Sequence, residues 1–91
     1  MILIPNWNTI NLTIIAARLI MQCSQIYAFL AVADRQSFSL AAEKLFITQP
    51  AVSKRSGQLE ESLGLRLFDR IGKKSLLTPD GIAFRPHAEQ I

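Results

Sequence analysis

The chain has 91 residues, of which 49% are hydrophobic and 19% are charged, and its formal net charge at pH 7 is +3. That length allows one small domain with a modest core, and the apolar fraction is too high for a disordered chain. Cys23 is the only cysteine, so an intrachain disulfide is excluded and a reducing compartment such as the cytoplasm is expected.

Residues 1–20 differ in composition from the rest of the chain, and Arg18 is their only charged side chain. A signal peptide needs a cationic region before its apolar core, whereas here the cation comes late. A transmembrane helix needs about 20 mostly apolar residues in a run, and asparagine and threonine interrupt this one. We therefore expect a frayed apolar N-terminal extension, with a helix over residues 12–20 as the open alternative, and not a membrane anchor.

Two helices are predicted next. The first covers about residues 22–35, because its apolar side chains recur at the i, i+3, i+4 and i+7 spacing of one buried stripe. These side chains are Ile26, Phe29, Leu30 and Ala33. The second covers about residues 40–46, with Ser39 as its N-cap, since serine accepts hydrogen bonds from the N–H groups of a first helical turn.

The third predicted helix covers residues 49–63 and carries most of the functional signal. Thr48 precedes it as an N-cap, Pro50 fits its first turn and Gly64 ends it. Three or four residues separate it from the second helix, which is typical of a helix-turn-helix. Hydrogen-bonding and cationic side chains gather at its N-terminal end, where a helix favours anions. They are Thr48, Gln49, Ser53, Lys54 and Arg55.

One face of this third helix is predicted to pack inward through Val52, Leu59 and Leu63. Ser56 lies on the same face, and Gly57 follows it. A serine at an inward position lacks the packing of an aliphatic side chain, and that loss lowers the folding stability by about 1–4 kcal/mol. Glycine within a helix lowers it by roughly 0.5–1 kcal/mol relative to alanine. We therefore expect a weakly held helix, and we expect Ser56→Ile to raise the melting temperature.

The remaining chain predicts a short hairpin and the start of a fourth helix. Residues 71–74 have the composition of a hairpin tip, and residues 75–77 return as a strand. Thr78, Pro79 and Asp80 then open a helix as N-cap, first-turn proline and acid that complements the helix dipole. The apolar positions expected in this helix are Ile82, Ala83, Phe84, Ala88 and Ile91.

Charge is concentrated in the middle of the chain. Between Lys44 and Lys74 lie seven basic and three acidic residues, a local net charge of +4, which fits a polyanionic partner.

The sequence gives little support for an enzymatic function. His87 has no cysteine or carboxylate constellation to orient it, and Glu60 and Glu61 are more simply outward-facing than an acid/base pair. No metal-ligand spacing or cofactor motif is present, so neither a metal nor a cofactor is expected.

Six short motifs in fixed order resemble one family. They are FLAVA at residues 29–33, SFSLAAEKL at 37–45, TQPAVSK at 48–54, LEESLG at 59–64, LFDR at 67–70 and LTPDG at 77–81. Together they make residues 21–91 similar to the N-terminal DNA-binding domain of LysR-type transcriptional regulators. Each motif is weak alone, but the order and spacing are specific.

The resemblance implies a mainly α-helical, winged helix-turn-helix fold: a three-helix core, a two-stranded β wing and the start of a linker helix. Residues 1–20 would be the extension, residues 21–78 the DNA-binding domain, and residues 79–91 a truncated linker helix that pairs two subunits. The large effector-binding domain of the family is not in this sequence, so no small-molecule effector site is expected.

The resemblance also implies roles for single residues of the recognition helix. Gln49 and Pro50 would lie against base edges in the major groove of double-stranded DNA, with Gln49 as the main hydrogen-bonding reader, since glutamine can pair bidentately with adenine. Ser53 and Lys54 would contact phosphate or a neighbouring base.

Backbone contacts are implied on both sides of the recognition helix. Ser39 and Thr48 would bind backbone phosphate. Arg70 and Lys73 of the wing would reach the flanking backbone or the minor groove, where basic side chains respond to groove width and potential. Lys74 is a weaker candidate for the same contact.

The sequence therefore predicts a sequence-specific DNA-binding domain of a transcriptional regulator, in a truncated form with weak or lost activity. The alternative is an interaction protein that pairs with a full-length regulator through residues 79–91, as a heterodimer, and interferes with its dimerisation. Exposed apolar side chains in that helix are the reason for the alternative.

Overall fold

The computed structural model describes residues 22–90, and residues 1–21 and 91 lie outside the described part. The sequence prediction of a frayed extension over residues 1–20 therefore lies outside it as well. The described elements follow one another as α1 (residues 22–35), α2 (Phe38–Leu45), α3 (Gln49–Leu63), β1 (Phe68–Ile71), β2 (Lys74–Leu77) and α4 (Pro79–Glu89). This order confirms the predicted mainly helical fold with a two-stranded wing.

Helix α1 supplies the centre of the core. The predicted stripe is confirmed, with Ile26, Phe29 and Ala33 buried and Leu30 packed against them. Three further α1 residues, Ala28, Ala31 and Val32, are also buried, so α1 is covered on more than one side. The other buried core residues come from α2, α3, the loop before β1, β1 and α4, and Leu77 of β2 packs against them. They are Ala41, Ala42, Val52, Leu59, Leu67, Phe68 and Ala88.

The second helix begins two residues earlier than predicted. Its N-cap is Ser37, whose Oγ accepts a hydrogen bond of 3.1 Å from the Leu40 N–H, while Ser39 lies exposed in the first turn. Either serine satisfies the preference for a hydroxyl at the cap. The earlier start places Phe38 within the helix, with its ring centroid 5.8 Å from that of Phe68.

Helix α3 has the predicted caps and most of the predicted inward face. Gly64 ends it in the left-handed region at φ 68°, and Val52, Ser56 and Leu59 are buried. Leu63, however, is 38% exposed, so its predicted inward position is wrong. Residues 61–66 are all exposed, because the last turn of α3 extends beyond the core.

The wing is an antiparallel hairpin in which Phe68 pairs with Leu77 and Ile71 with Lys74. Its loop has only two residues, so the tip is shorter than residues 71–74. Gly72 begins this loop at φ 63°, a conformation that glycine adopts without steric cost. The Ser75 N–H donates to the Gln36 carbonyl at 2.9 Å, which attaches β2 to the turn between α1 and α2.

Glu60 does not simply face outward, as the sequence suggested. Its carboxylate accepts hydrogen bonds from the N–H groups of Leu67 (2.6 Å) and Phe68 (3.4 Å). Because Glu60 belongs to α3 and Phe68 begins β1, this side chain connects the third helix directly to the wing.

Helix α4 begins as predicted, with Thr78 as N-cap, a first-turn proline and Asp80 in the first turn. Its predicted apolar positions separate into two groups. Ala88 is buried and Phe84 packs on the core, whereas Ile82 is 62% exposed and Ala83 is also exposed. None of the helices within residues 22–90 has both the length and the hydropathy needed to cross a membrane.

Candidate nucleic-acid interface

The N-terminus of α3 presents side chains more than backbone donors. Thr48 Oγ1 accepts a hydrogen bond of 3.2 Å from the Ala51 N–H, and the Thr48 carbonyl accepts one of 3.1 Å from the Val52 N–H. Pro50 has no N–H. Among the contacts of residues 22–90, the Gln49 N–H is therefore the remaining backbone donor of this turn. A ligand at this helix end would therefore meet the exposed side chains of Gln49 and Pro50 and one backbone N–H.

A concave surface, here named the wing groove, lies between this helix end, the N-terminus of α2 and the tip of the wing. Four of the eight predicted site residues line it together: Ser39, Gln49, Arg70 and Lys73. Lys74 lines it as well. These residues come from α2, α3 and the wing, and the wing groove therefore combines an amide, a hydroxyl and three cations on one surface.

Ser53 and Lys54 lie on different sides of α3. Ser53 lines a second groove between α3 and β1, here named the helix groove, which shares Phe38 and Arg70 with the wing groove. Lys54 instead lines a surface with Ser24 and Gln25 of α1. The structure thus brings Ser53 near the wing and separates Lys54 from it, as expected for neighbours about 100° apart around a helix.

Several cations of α3 and the wing form no ion pair with a described acidic side chain. Ion pairs within residues 22–90 join Lys44 and Arg85 to Asp34, Arg66 to Asp69, and Arg85 to Glu89. No described acidic side chain lies within ion-pair distance of Lys54, Arg55, Arg70, Lys73 or Lys74. Of these, Arg70, Lys73 and Lys74 are exposed together in the wing groove, where they would attract a polyanion and steer its approach.

Phe38 lines both grooves and contacts Arg70, although nothing in the sequence singles it out as a site residue. Its half-buried ring lines both grooves, and the guanidinium carbon of Arg70 lies 4.7 Å from the ring centroid. This distance is within the range of a cation–π interaction. Residues 38 and 70 belong to elements far apart in the chain, so residue spacing carries no signal for their contact.

Metal-binding side chains do not form a cluster in the described part of the chain. Residues 22–90 contain no group of three or more His, Cys, Asp or Glu side chains placed to hold a metal ion. His87 is exposed on α4, and Cys23 is half-buried in α1 as a free thiol. The exposed cations and hydrogen-bonding side chains of the wing groove are suited to binding an anionic surface.

A family model described as "Bacterial regulatory helix-turn-helix protein, lysR family" matches residues 23–82. The chain is 51% identical over 71 residues to an uncharacterized HTH-type transcriptional regulator in the ibpB–leuC intergenic region of Azotobacter vinelandii, covering 78% of this chain and 49% of that protein. It is 46% identical over 59 residues to the HTH-type transcriptional activator CmpR of Synechocystis, covering 65% and 19%. The chain thus spans half or less of the length of these relatives.

Two similar solved structures are complexes with DNA. The DNA-binding domain of BenM on benA site 1 DNA superposes with a TM-score of 0.70 at 38% identity, covering 75% of this chain and 76% of that one. The DNA-binding domain of CbnR with DNA gives a TM-score of 0.72 at 32% identity, covering 75% and 78%. These chains are DNA-binding domains, and the relatives above are named as regulators and not as enzymes.

Proposed function

The chain belongs to the LysR family of bacterial regulatory helix-turn-helix proteins, and from that premise we propose that residues 21–78 bind double-stranded DNA as the reading domain of a transcriptional regulator. Helix α3 would enter the major groove, and the wing would reach the flanking backbone or minor groove. The DNA complexes of the similar BenM and CbnR domains support DNA as the partner. The cytoplasm is the proposed compartment.

The observation that carries the proposal is the wing groove. Ser39, Gln49, Arg70 and Lys73 come from three elements, yet they line one surface. Both wing cations lack an acidic partner among the described residues. DNA matches both kinds of side chain. The cations would offset the charge of the phosphate backbone, and the Gln49 amide would select among the base edges beside it.

Base reading is assigned to the exposed start of α3. The Gln49 side chain can donate and accept at once, which matches the N6 and N7 edge of adenine. Pro50 beside it offers an apolar surface without a competing N–H. Ser53, one turn further along, borders the helix groove and would contact phosphate or the adjoining base.

Backbone contacts are assigned to the surrounding residues. Ser39 in the first turn of α2 and Thr48 at the cap of α3 would each donate a hydroxyl hydrogen to phosphate. Arg70 and Lys73 would contact the backbone or minor groove on the wing side. Lys54 would contact phosphate on another side of α3, where it lies apart from the wing.

The 79–91 helix is proposed to pair two copies of the chain. Ile82 and Ala83, in the first half of α4, are exposed and form an apolar surface. One helix-turn-helix makes few phosphate contacts, so the 91-residue chain by itself is proposed to bind weakly and with a steep dependence on salt. The buried hydroxyl of Ser56 and the helical Gly57 would weaken the attachment of α3 further.

The test begins with selection of duplexes from a random DNA library by the purified 91-residue chain, followed by titration of enriched duplexes at low and moderate salt. Enrichment of a common sequence, and weaker binding of the Gln49→Ala variant to it, are expected. Lys44→Ala is the matched control for charge, because Lys44 is paired with Asp34 and lines neither groove. A well-folded chain that enriches no sequence and binds no duplex at low salt would contradict the proposal.

A further inference from the structure

A continuous series of ring contacts runs from the wing to α4. The Arg70 guanidinium lies over Phe38, whose ring meets Phe68 at a centroid distance of 5.8 Å. Phe68 meets Phe29 at 5.4 Å, and Phe29 meets Phe84 at 5.2 Å. The exposed cation of the wing is therefore attached to the centre of the core through the ring of Phe38.

The ring of Phe38 is held firmly enough to orient its neighbour. It is the first residue of α2, half-buried, and it meets Phe68 edge to face at an interplanar angle of 71°. Edge-to-face contacts of this kind fix a ring beyond what burial alone does. The Phe38 ring thus contacts the core through Phe68, while the Arg70 guanidinium lies over its face.

Arg70 has few other constraints. It is exposed on β1, and no described acidic side chain lies within ion-pair distance of it. A solvated arginine samples many rotamers, and each must be given up when the guanidinium contacts a phosphate. Stacking on an aromatic face restricts those rotamers while the planar donor edge stays available, because arginine uses its face for the ring and its edge for hydrogen bonds.

We propose that Phe38 is a positioning residue for DNA binding, which holds the Arg70 guanidinium at the junction of the wing groove and the helix groove before DNA arrives. The inference rests on the proposed function, since it assigns Arg70 to the DNA backbone. Phe38 itself need not touch DNA. Its contribution is the restriction of Arg70 to a direction shared with Gln49 and Lys73.

The first experiment uses the protein without DNA. Protons over a ring face resonate upfield, so the Arg70 Hδ and Hε signals in a proton–nitrogen and proton–carbon NMR spectrum should be shifted upfield in the natural chain. They should return toward ordinary arginine positions in Phe38→Leu and remain shifted in Phe38→Tyr. Phe84→Leu is the matched control, because it also replaces a ring of the same series but at the end away from Arg70. Equal Arg70 shifts in the natural chain and Phe38→Leu would overturn the proposal.

The second experiment measures affinity for the best duplex from the selection above. Phe38→Leu should weaken binding about three- to fivefold, the order expected when one additional rotamer-rich side chain must be ordered on binding. Phe38→Tyr should stay within about twofold of the natural chain on the same scale. In an Arg70→Ala background, Phe38→Leu should have no further effect, because the two residues act through one contact.

The outcomes distinguish this inference from the proposed function. A loss caused by Phe38→Leu that is as large without Arg70 as with it would reveal a general structural role and overturn the positioning role. Binding of no duplex by the natural chain would overturn the proposed function and the DNA role of Phe38 together, whereas the NMR signals would still report whether the ring orients Arg70. Duplex binding that is unaffected by Phe38→Leu would overturn the positioning role alone.

Discussion

The carboxylate of Glu60 accepts a 2.6 Å hydrogen bond from the N–H of Leu67, just beyond the end of α3. Replacing Glu60 with alanine would leave the buried Leu67 N–H without its acceptor. Hydrogen bonds to charged groups contribute about 1.5–3 kcal/mol, so the free energy of unfolding in urea should fall by roughly that amount.

Glu60→Gln is the informative control for this contact. Its amide oxygen still accepts a hydrogen bond, so the loss of stability should be smaller than in Glu60→Ala. Glu61→Ala, an exposed neighbour in the same helix, should change the unfolding free energy little. Equal stability of Glu60→Ala and the natural chain would mean that the carboxylate does not hold the wing.

Ser56 is the second position with a definite expected change. Its side chain is buried at 1% exposure, and its hydroxyl has no hydrogen-bond partner among the described residues. A buried hydroxyl without a partner costs about 1–3 kcal/mol, so Ser56→Ala should stabilise the domain. A gain of 1 kcal/mol raises the melting temperature of a domain this size by roughly 4–8 °C.

Ser62→Ala is the matched control for Ser56→Ala, because Ser62 is an exposed serine of the same helix and tests helix propensity alone. Ser56→Ile should also raise the melting temperature, since Ser56 borders the helix groove, where a larger side chain has room to extend. If neither Ser56 variant exceeds the gain of Ser62→Ala, the packing of α3 is not limited at this position.

Gly57 and Gly81 are both helical glycines, but alanine should have opposite effects at the two positions. At Gly57 an added methyl group meets no atom within 4 Å, so Gly57→Ala should stabilise the domain by about 0.5–1 kcal/mol. At Gly81 the methyl group would collide with the backbone carbonyl oxygen of Leu67. Such overpacking costs about 1–3 kcal/mol, so Gly81→Ala should destabilise it. Thermal unfolding of the two variants side by side measures the difference, and the same sign in both would contradict the close approach of α4 to Leu67.

Gln49 and Lys73 should separate base reading from backbone contact. Gln49→Ala should cost about 1–3 kcal/mol on the selected duplex and reduce the discrimination between bases at one position. Lys73→Ala should weaken binding to all duplexes alike and lower the salt slope by about one. Fluorescence anisotropy against salt concentration, on selected and scrambled duplexes, measures both. A sequence-dependent loss for Lys73→Ala would instead place Lys73 against a base.

Local chemistry explains why much of the fold could be predicted. The caps Thr48, Gly64 and Thr78 each precede or follow a helix with the expected geometry, because a cap depends on residues within one turn. The N-cap of α2 was predicted wrongly, as Ser39 in place of Ser37. Ser37 and Ser39 both satisfy that local rule, and the contact of Phe38 with distant Phe68 accompanies the earlier start.

Other features depend on contacts between distant parts of the chain. Leu63 continues the inward spacing of α3, yet it is exposed because no element covers the last turn. Glu60 resembles any solvated helical acid until the strand beside it is known. The spacing of the chain gives no sign that Gly81 lies against Leu67, and its missing side chain is what allows that close approach. The contact of Phe38 with Arg70 likewise requires knowledge of how the wing lies on α2.

The attachment of the wing has a consequence for self-association. Unpaired edges of a short sheet can add strands from another copy and lead to aggregation. Here the N–H of Phe68 on the outer edge of β1 is taken by Glu60, and the N–H of Ser75 on the outer edge of β2 is taken by the Gln36 carbonyl. Each edge of the hairpin thus has a backbone donor already satisfied within the same chain, which opposes strand addition at high protein concentration.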